Sequence, residues 1–360
     1  MRAYPREAAV ALSAVRSASR AALSLQKNIA ATKAAYQKED ATATIGGSVF
    51  SPVTAGDFMV QVLVVSALAS AFPNDRFIAE ETGAELLAAG TATRSAVMDA
   101  VAKHSPMPLD EADALAMLNL GRSGLEDGWS SSGRTWVLDP IDGTKGFLRG
   151  DQFAVALSLL DGGQPVLGLL GCPNLGDGGA LFWTERGHGA CWGATHGAAS
   201  AVFDAAEASA SASDADALFA ACAPLRVSDP GAGGLVRCEA FEAAHTNWAV
   251  AAAIGERLGV TAEPVRMDGQ GKYGLLARGD AHVFTRLPRP GYREKIWDVA
   301  AGALLVAEAG GRVTDTRGRP LDFSRGETLD ASVEGIVASN GHVHDELLAA
   351  LEEAAASPTD

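Results

Sequence analysis

The chain has 360 residues, 48% of them apolar and 20% charged, and a formal net charge of −15. This is the composition of a folded globular protein, and the acidic balance without any dense Lys/Arg run excludes a general nucleic-acid-binding face. A small anionic substrate is not excluded, because bound divalent cations invert a local potential.

At about 150 residues per domain, the length predicts two packed domains. The pattern places them at 1–200 and 221–360, with a low-complexity linker or insertion at 201–220 that overlaps the Ala/Ser/Asp-rich stretch 198–216. Leu12, Val15, Ala22, Leu25 and Ile29 form a helical stripe, so the early arginines Arg2, Arg6, Arg16 and Arg20 belong to a folded first helix rather than a transit peptide. A second helix carries Phe58, Val62, Val65, Ala69 and Phe72 on one face. Thr54 is its expected N-cap, and Asp57 three residues on has a plain reading as a capping-box partner.

Phe77, Ile78 and Ala79 form a short strand ending in Glu80 and Glu81. Side chains alternate along a strand, so one of these two carboxylates reaches any given site. Residues 85–119 read as helical patches without chemistry. Trp136, Val137 and Leu138 then end a buried strand, Pro140 is expected to stop the ladder, and Gly143 opens a helix. On that turn Asp139, the Ile141 carbonyl and Asp142 make an all-oxygen set suited to a hard cation such as Mg²⁺, and Thr144 follows at a helix start, where free amides favour phosphate. Taken alone, Asp-Pro and Asp-Gly pairs mark ordinary turns.

Strands at 153–160 and 165–170 flank Asp161-Gly162-Gly163-Gln164, a hairpin signal, and strands at 180–183 and 190–192 complete an antiparallel meander. His104, His188 and His196 stand alone. After the linker, strands near 235–238, 265–267, 281–286, 312–314 and 336–338 alternate with helices near 241–258, 272–277, 297–309 and 344–355. The fold class is therefore α+β followed by α/β. Asp298 begins a small-residue helix closed by Gly310-Gly311, where one carboxylate could simply complement the helix dipole. Cys172, Cys191, Cys222 and Cys238 are widely spaced and read as reduced thiols. With no secretory leader and no apolar run of about 18 residues, a cytoplasmic protein that neither enters a membrane nor binds nucleic acid polymers is expected.

Three elements together, Glu80-Glu81 after a strand, Asp139-Pro140-Ile141-Asp142-Gly143-Thr144, and Trp297-Asp298 with its glycine-stopped helix, resemble the lithium-sensitive, magnesium-dependent phosphatase superfamily that includes inositol monophosphatase. Ser51-Pro52-Val53-Thr54, Lys145-Gly146-Phe147, Gly269-Gln270-Gly271-Lys272-Tyr273, Arg286-Leu287-Pro288 and residues 292–298 resemble its 3′(2′),5′-bisphosphate nucleotidase branch. The resemblance implies a layered α-β-α-β-α sugar-phosphatase architecture and two or three Mg²⁺ ions held by Glu80, Asp139, the Ile141 carbonyl, Asp142 and Asp298. It further implies water activation by a hydrogen-bonded pair, Asp57 and Thr144, and substrate contacts from Thr144, His245, Gly269, Lys272, Arg286 and Asp298. The branch usually has Ser where Gly269 stands, which removes a hydroxyl from one phosphate contact.

The implied reaction is hydrolysis of 3′-phosphoadenosine 5′-phosphate, and of its 5′-phosphosulfate analogue, in sulfur assimilation, inhibited by Li⁺ and Na⁺, by a monomer or homodimer. The alternatives are an inositol mono- or polyphosphate 1-phosphatase and a non-catalytic nucleotide sensor. Alone, Arg286 also reads as a strand-end salt bridge and Lys272 as a solvated helix start.

Overall fold

A computed structural model describes residues 2–39, 52–125, 132–197, 200–201, 219, 222–231, 234–241, 248–260 and 262–356. His245 and nearly all of the 201–220 segment lie outside the described residues. Two helices, α1 (Pro5–Glu39) and α2 (Pro52–Ala71), cover one face of a seven-stranded sheet in sequential order, β1 (Arg76–Ala79), β2 (Arg134–Asp142), β3 (Ala154–Asp161), β4 (Gln164–Cys172), β5 (Ala180–Glu185), β6 (Ala190–Gly193) and β7 (Ala223–Pro224). Between β1 and β2 lie α3 (Gly83–Ala88), α4 (Gly90–His104) and α5 (Glu111–Leu120), and α6 (Thr144–Arg149) follows β2.

Both faces of this sheet are buried, and strict alternation divides its side chains between two cores. Trp136, Leu138, Val155, Leu157, Leu159, Leu169, Leu181 and Trp183 face α1 and α2, whereas Ala154, Ala156, Leu170 and Phe182 face a middle layer of helices. That is why these strands read as continuous apolar runs. The predicted hairpin is present: Gly162 and Gly163 take φ of 58° and 74°, and Asp161 pairs with Gln164.

The middle layer is α8 (Gly271–Arg278) and α9 (Ala300–Glu308). They approach closely because Gly302 has no side chain; a Cβ there would lie 2.3 Å from the Tyr273 ring. Beyond them a five-stranded sheet runs in the order β11 (Arg312–Asp315), β12 (Ile336–Ser339), β10 (Val283–Arg286), β8 (Arg237–Glu239), β9 (Val265–Arg266). It is mixed: β8 pairs parallel with β9 and β10, while β12 is antiparallel to β10 and β11. The outer helices α7 (Trp248–Arg257) and α10 (His344–Ala356) close the stack, giving the α-β-α-β-α order.

Two local expectations are corrected. Strand β2 runs through Pro140 to Asp142, because its register shifts between Asp139 and Asp142 and the proline sits in that irregularity, where no ladder hydrogen bond is required of it. Helix α2 starts at Pro52, a residue preadapted to a first helical position, so Thr54 lies inside the helix instead of capping it. The segment from 83 to 120 is helical as expected: three helices, two with complete capping boxes, Thr82 with Glu85 and Asp110 with Asp113. The early arginines are structural: Arg16, buried, and Arg20 both donate to the Thr195 carbonyl, and Arg2 pairs with Glu185 at 3.1 Å.

Candidate active site

β1 and β2 are the only parallel neighbours in the large sheet's described strands, with Ala79 beside Leu138. Their carboxyl ends therefore emerge together, which sets Glu80 next to Asp139 although the two are far apart in the chain. A cavity of about 300 Å³ opens there. Its lining contains Glu80, Asp139, Ile141, Asp142, Thr144 and Asp298, together with Gly269, Lys272 and Arg286.

Of the predicted residues, only Asp57 and His245 are missing from that lining, the latter lying outside the described residues. Asp57 is buried on α2 directly behind the cluster, with Glu81 and Glu80 as its charged neighbours. Its predicted hydrogen bond with Thr144 is not made: Thr144 Oγ1 donates to the Ile141 carbonyl at 3.2 Å. Being one turn away on the same chain segment, that carbonyl is the nearer acceptor.

The acidic wall is electrostatically stressed. Burial, followed by repulsion from Glu81 and Glu80, holds the Asp57 carboxyl far above its ordinary range. Burial and then Asp298, Glu81 and Asp142 push Glu80 up to about 8, although Glu80 opens onto the cleft. Asp139 is raised strongly by burial and Glu80; Asp142 rises to about 6 through burial and Asp298, opposed by the nearby cations Lys272 and Arg286. Only one of the Glu80/Glu81 pair lines the cavity, as alternation requires.

Two observations fit this wall to cations. Asp139 Oδ1 and Asp142 Oδ2 are buried without a hydrogen-bond donor, an arrangement that costs free energy unless a positive group meets them. Every available donor is an oxygen, the chemistry of a hard divalent ion. Among the described residues no three acidic, His or Cys side chains close into a cage, and Asp298 gives Oδ2 to Arg286 Nη2 at 2.7 Å. The set is open, as suits Mg²⁺, which is ordinarily shared between a few carboxylates, waters and a substrate phosphate.

The cationic wall is braced. Lys272 is buried at 5% exposure and donates to the Met267 and Gly269 carbonyls at 3.0 and 2.7 Å, which leaves one of its three protons for a ligand. Burial lowers its pKa. Arg286 stands between Glu294 (Nε–Oε2, 2.8 Å) and Asp298, so the salt-bridge reading of this residue is correct as well. Gly269 has φ +69°, and a Cβ there would meet the Asp142 carbonyl at 2.4 Å.

Sequence reasoning missed Asp268 and Tyr292 on the lining and the supporting amides Gln61 and Gln270. Gln61 is one turn beyond Asp57 on α2; its Nε2 donates to the Glu81 carbonyl at 2.7 Å and its Oε1 accepts from Glu81 N at 2.9 Å, fixing the end of β1. A neutral amide carries no spacing signal. Asp268 is held by Arg149, which also lies over the Phe241 ring.

An open set of carboxylates gathered at the ends of two parallel strands, sharing one cavity with braced cations in a five-layered fold, defines a metal-dependent phosphatase type of site. The inositol monophosphatase family model matches residues 8–356, and the chain belongs to that family. It is 40% identical to a 3′(2′),5′-bisphosphate nucleotidase of Oryza sativa, covering 98% of this chain and 95% of that one. It is 38% identical to a 3′(2′),5′-bisphosphate nucleotidase of Emericella nidulans over 92% and 96% of the two chains. Among solved structures, CysQ from Bacteroides thetaiotaomicron, a bacterial member of the same family, aligns with a TM-score of 0.58 at 18% identity over 94% of this chain and 98% of that one, which supports the fold.

Proposed function

We propose that this protein is a phosphoric monoester hydrolase that removes the 3′-phosphate of 3′-phosphoadenosine 5′-phosphate, giving AMP and phosphate, and acts likewise on the 5′-phosphosulfate analogue. The observation that carries the reading is the make-up of one cavity: a set of carboxylates for cations and a reacting phosphate, with the cations Lys272 and Arg286 in the same lining for a second anionic group. A substrate with two phosphates on one ribose engages both sets. The relatives named as bisphosphate nucleotidases support the same substrate class.

Glu80, Asp139, the Ile141 carbonyl, Asp142 and Asp298 are the residues that would hold Mg²⁺, two or three ions in all. When bound, these ions supply a Lewis acid that activates water and screens the phosphate dianion. Asp57 takes the proton of the attacking water, a role suited to a buried carboxyl whose proton affinity is raised. Thr144, at the first position of α6, orients the reacting phosphate. Lys272 and Arg286 hold the distal phosphate and fix the ribose, so that binding energy from a non-reacting group positions the reacting one. His245 joins them in this reading. Both cations are immobilised by their own partners before substrate arrives, which reduces the ordering cost on binding. Inhibition by Li⁺ and Na⁺ follows from monovalent ions entering a divalent site. Cys172, Cys191, Cys222 and Cys238, read as reduced thiols, suit a reducing cytoplasm.

The test is phosphate release with Mg²⁺ from 3′-phosphoadenosine 5′-phosphate, inositol 1-phosphate and inositol 1,4-bisphosphate in parallel, each with and without Li⁺. Preference for the nucleotide, lost in Li⁺, is expected. Preference for an inositol phosphate overturns the substrate assignment, and tight nucleotide binding without release points to a sensor.

A further inference from the structure

One large apolar side chain beside the cleft takes no part in the core. Phe241 is 43% exposed, although it follows directly on Ala240, a buried residue of the cavity lining. Single exposed aromatics are common on protein surfaces, so exposure alone assigns it nothing. Its place and its neighbour do.

The place is set by the second sheet. Strand β8 runs parallel to β9 on one side and to β10 on the other, so three carboxyl ends emerge along one edge. Open α/β sheets bind ligands at such an edge. Cys238 is level with Phe284 of β10, and Glu239 is level with Arg266 of β9. Continuing these registers by two residues brings Ala240 level with Arg286, the last residue of β10, and Phe241 level with Asp268. Arg286, Ala240 and Asp268 all line the cavity. Neighbouring strands lie about 4.8 Å apart, so the backbone leading into Phe241 is one strand away from Arg286. A sugar that joins a phosphate at Arg286 to a flat ring at Phe241 spans such a gap, and Ala240 offers only a methyl group to obstruct it.

The neighbour is Arg149, from the end of α6, the helix that begins at Thr144. Its guanidinium lies over the Phe241 ring, with Cζ 5.0 Å from the centroid, and the same side chain is ion-paired to Asp268 and, at 2.8 Å, to Asp151. One anchored cation thus ties the aromatic ring to the cavity lining. A ring held in this way loses little freedom when a planar group settles on it.

We infer that Phe241, steadied by Arg149, is a specificity-determining residue that stacks on the base of the nucleotide. The inference rests on the nucleotide substrate proposed above. The carboxylates, Lys272 and Arg286 recognise two phosphates and do not distinguish a sugar that carries a base from one that lacks it. An aromatic platform does, and it tolerates any base because every base has a π face. A purine covers more of the ring than a pyrimidine and gains more from burial.

The experiment is phosphate release with Mg²⁺ by the full-length natural chain, Phe241→Ala and Phe241→Trp. The substrates are 3′-phosphoadenosine 5′-phosphate, cytidine 3′,5′-bisphosphate and the baseless 1,2-dideoxyribose 3,5-bisphosphate. Where turnover of the baseless compound is too slow to measure, its inhibition constant against the adenosine substrate replaces it. The natural chain is expected to prefer the three in that order. Phe241→Ala should lower kcat/KM for the adenosine substrate about 5- to 100-fold, the scale of one lost base–aromatic stack, mostly through KM. The baseless compound should change by less than about two-fold, which also shows that the variant is folded, and Phe241→Trp should stay within about three-fold of the natural chain on the adenosine substrate. Equal losses on the adenosine and baseless compounds, or adenosine kinetics unchanged in Phe241→Ala, overturn the inference and leave Phe241 an ordinary surface residue. A natural chain that releases phosphate from an inositol phosphate and from none of these three overturns instead the nucleotide reading beneath it.

Discussion

Replacing Gly269 with Ser distinguishes two accounts of that position. On the hydroxyl account, Ser restores a phosphate contact worth about 0.5–1.5 kcal/mol, a gain of at most about 13-fold in kcat/KM. The geometry opposes this. A non-glycine residue at φ +69° carries a left-handed strain of about 1–2 kcal/mol, and its Cβ would overlap the Asp142 carbonyl at 2.4 Å, a forced fit of about 1–3 kcal/mol. Together these give about 2–5 kcal/mol. For a chain of this length the unfolding entropy is about 0.75 kcal/mol/K, so the melting temperature should fall by about 3–7 °C. Relieving the overlap moves Asp142, and a displacement near 1 Å at a reacting site costs about 100-fold in rate. Strain outweighs the hydroxyl. The assay is thermal melting in a chelator with phosphate release from 3′-phosphoadenosine 5′-phosphate, using Gly269→Ala as the control with a Cβ and no hydroxyl. Both variants should melt low and turn over slowly. A serine variant with unchanged melting and raised kcat/KM would refute the reasoning.

Asp57→Asn should leave Mg²⁺ binding within about two-fold while lowering kcat by about 100-fold or more, the scale of a lost general base; unchanged turnover measured by phosphate release removes Asp57 from the chemistry. In a chelator, stability should fall as pH rises from about 4.5 to 8, because Asp142, Glu81 and Glu80, at about 6, 7 and 8, keep protons in the folded state that the unfolded chain has already released. Saturating Mg²⁺ should flatten that slope in urea melts recorded at several pH values, and a chelated protein that gains stability across this range contradicts the assignment. Arg286→Met strands the wholly buried Glu294 carboxylate and should cost about 3–5 kcal/mol in urea denaturation. Adding Glu294→Gln should recover more than half of the loss, and strict additivity would show the pair to be uncoupled.

What the sequence disclosed follows the range of the interactions involved. The Asp139–Asp142 segment was legible because its donors are local and its residue types unusual in combination. Glu80 was visible as an acid after a strand, but its place beside Asp139 depends on the parallel pairing of β1 with β2, and no local pattern encodes that choice. Pro140 read as a strand stop because propensity does not anticipate a register irregularity that excuses a missing N–H. At Gly269 a family pattern suggested a lost hydroxyl, whereas the backbone shows a position that a side chain fits poorly. Gln61 and Gln270 escaped notice because a buried amide acts through whichever backbone the fold brings to it. Arg286 shows two readings holding at once: a structural ion pair keeps the guanidinium where a phosphate can use it.

The close contact of α8 with α9 across Gly302 and Tyr273 bears on how such a protein diversifies. Two helices that meet backbone against ring have little rotameric slack, so the floor of the cleft moves as a block with both sheets packed on it. Lys145, by contrast, is exposed at the rim, and Tyr292 stands on a connection between β10 and the 296–298 turn. Exchanges at such rim positions can alter which alcohol is accepted without disturbing the carboxylates beneath. An unyielding floor with an editable rim lets a lineage change its diet while its chemistry stays fixed.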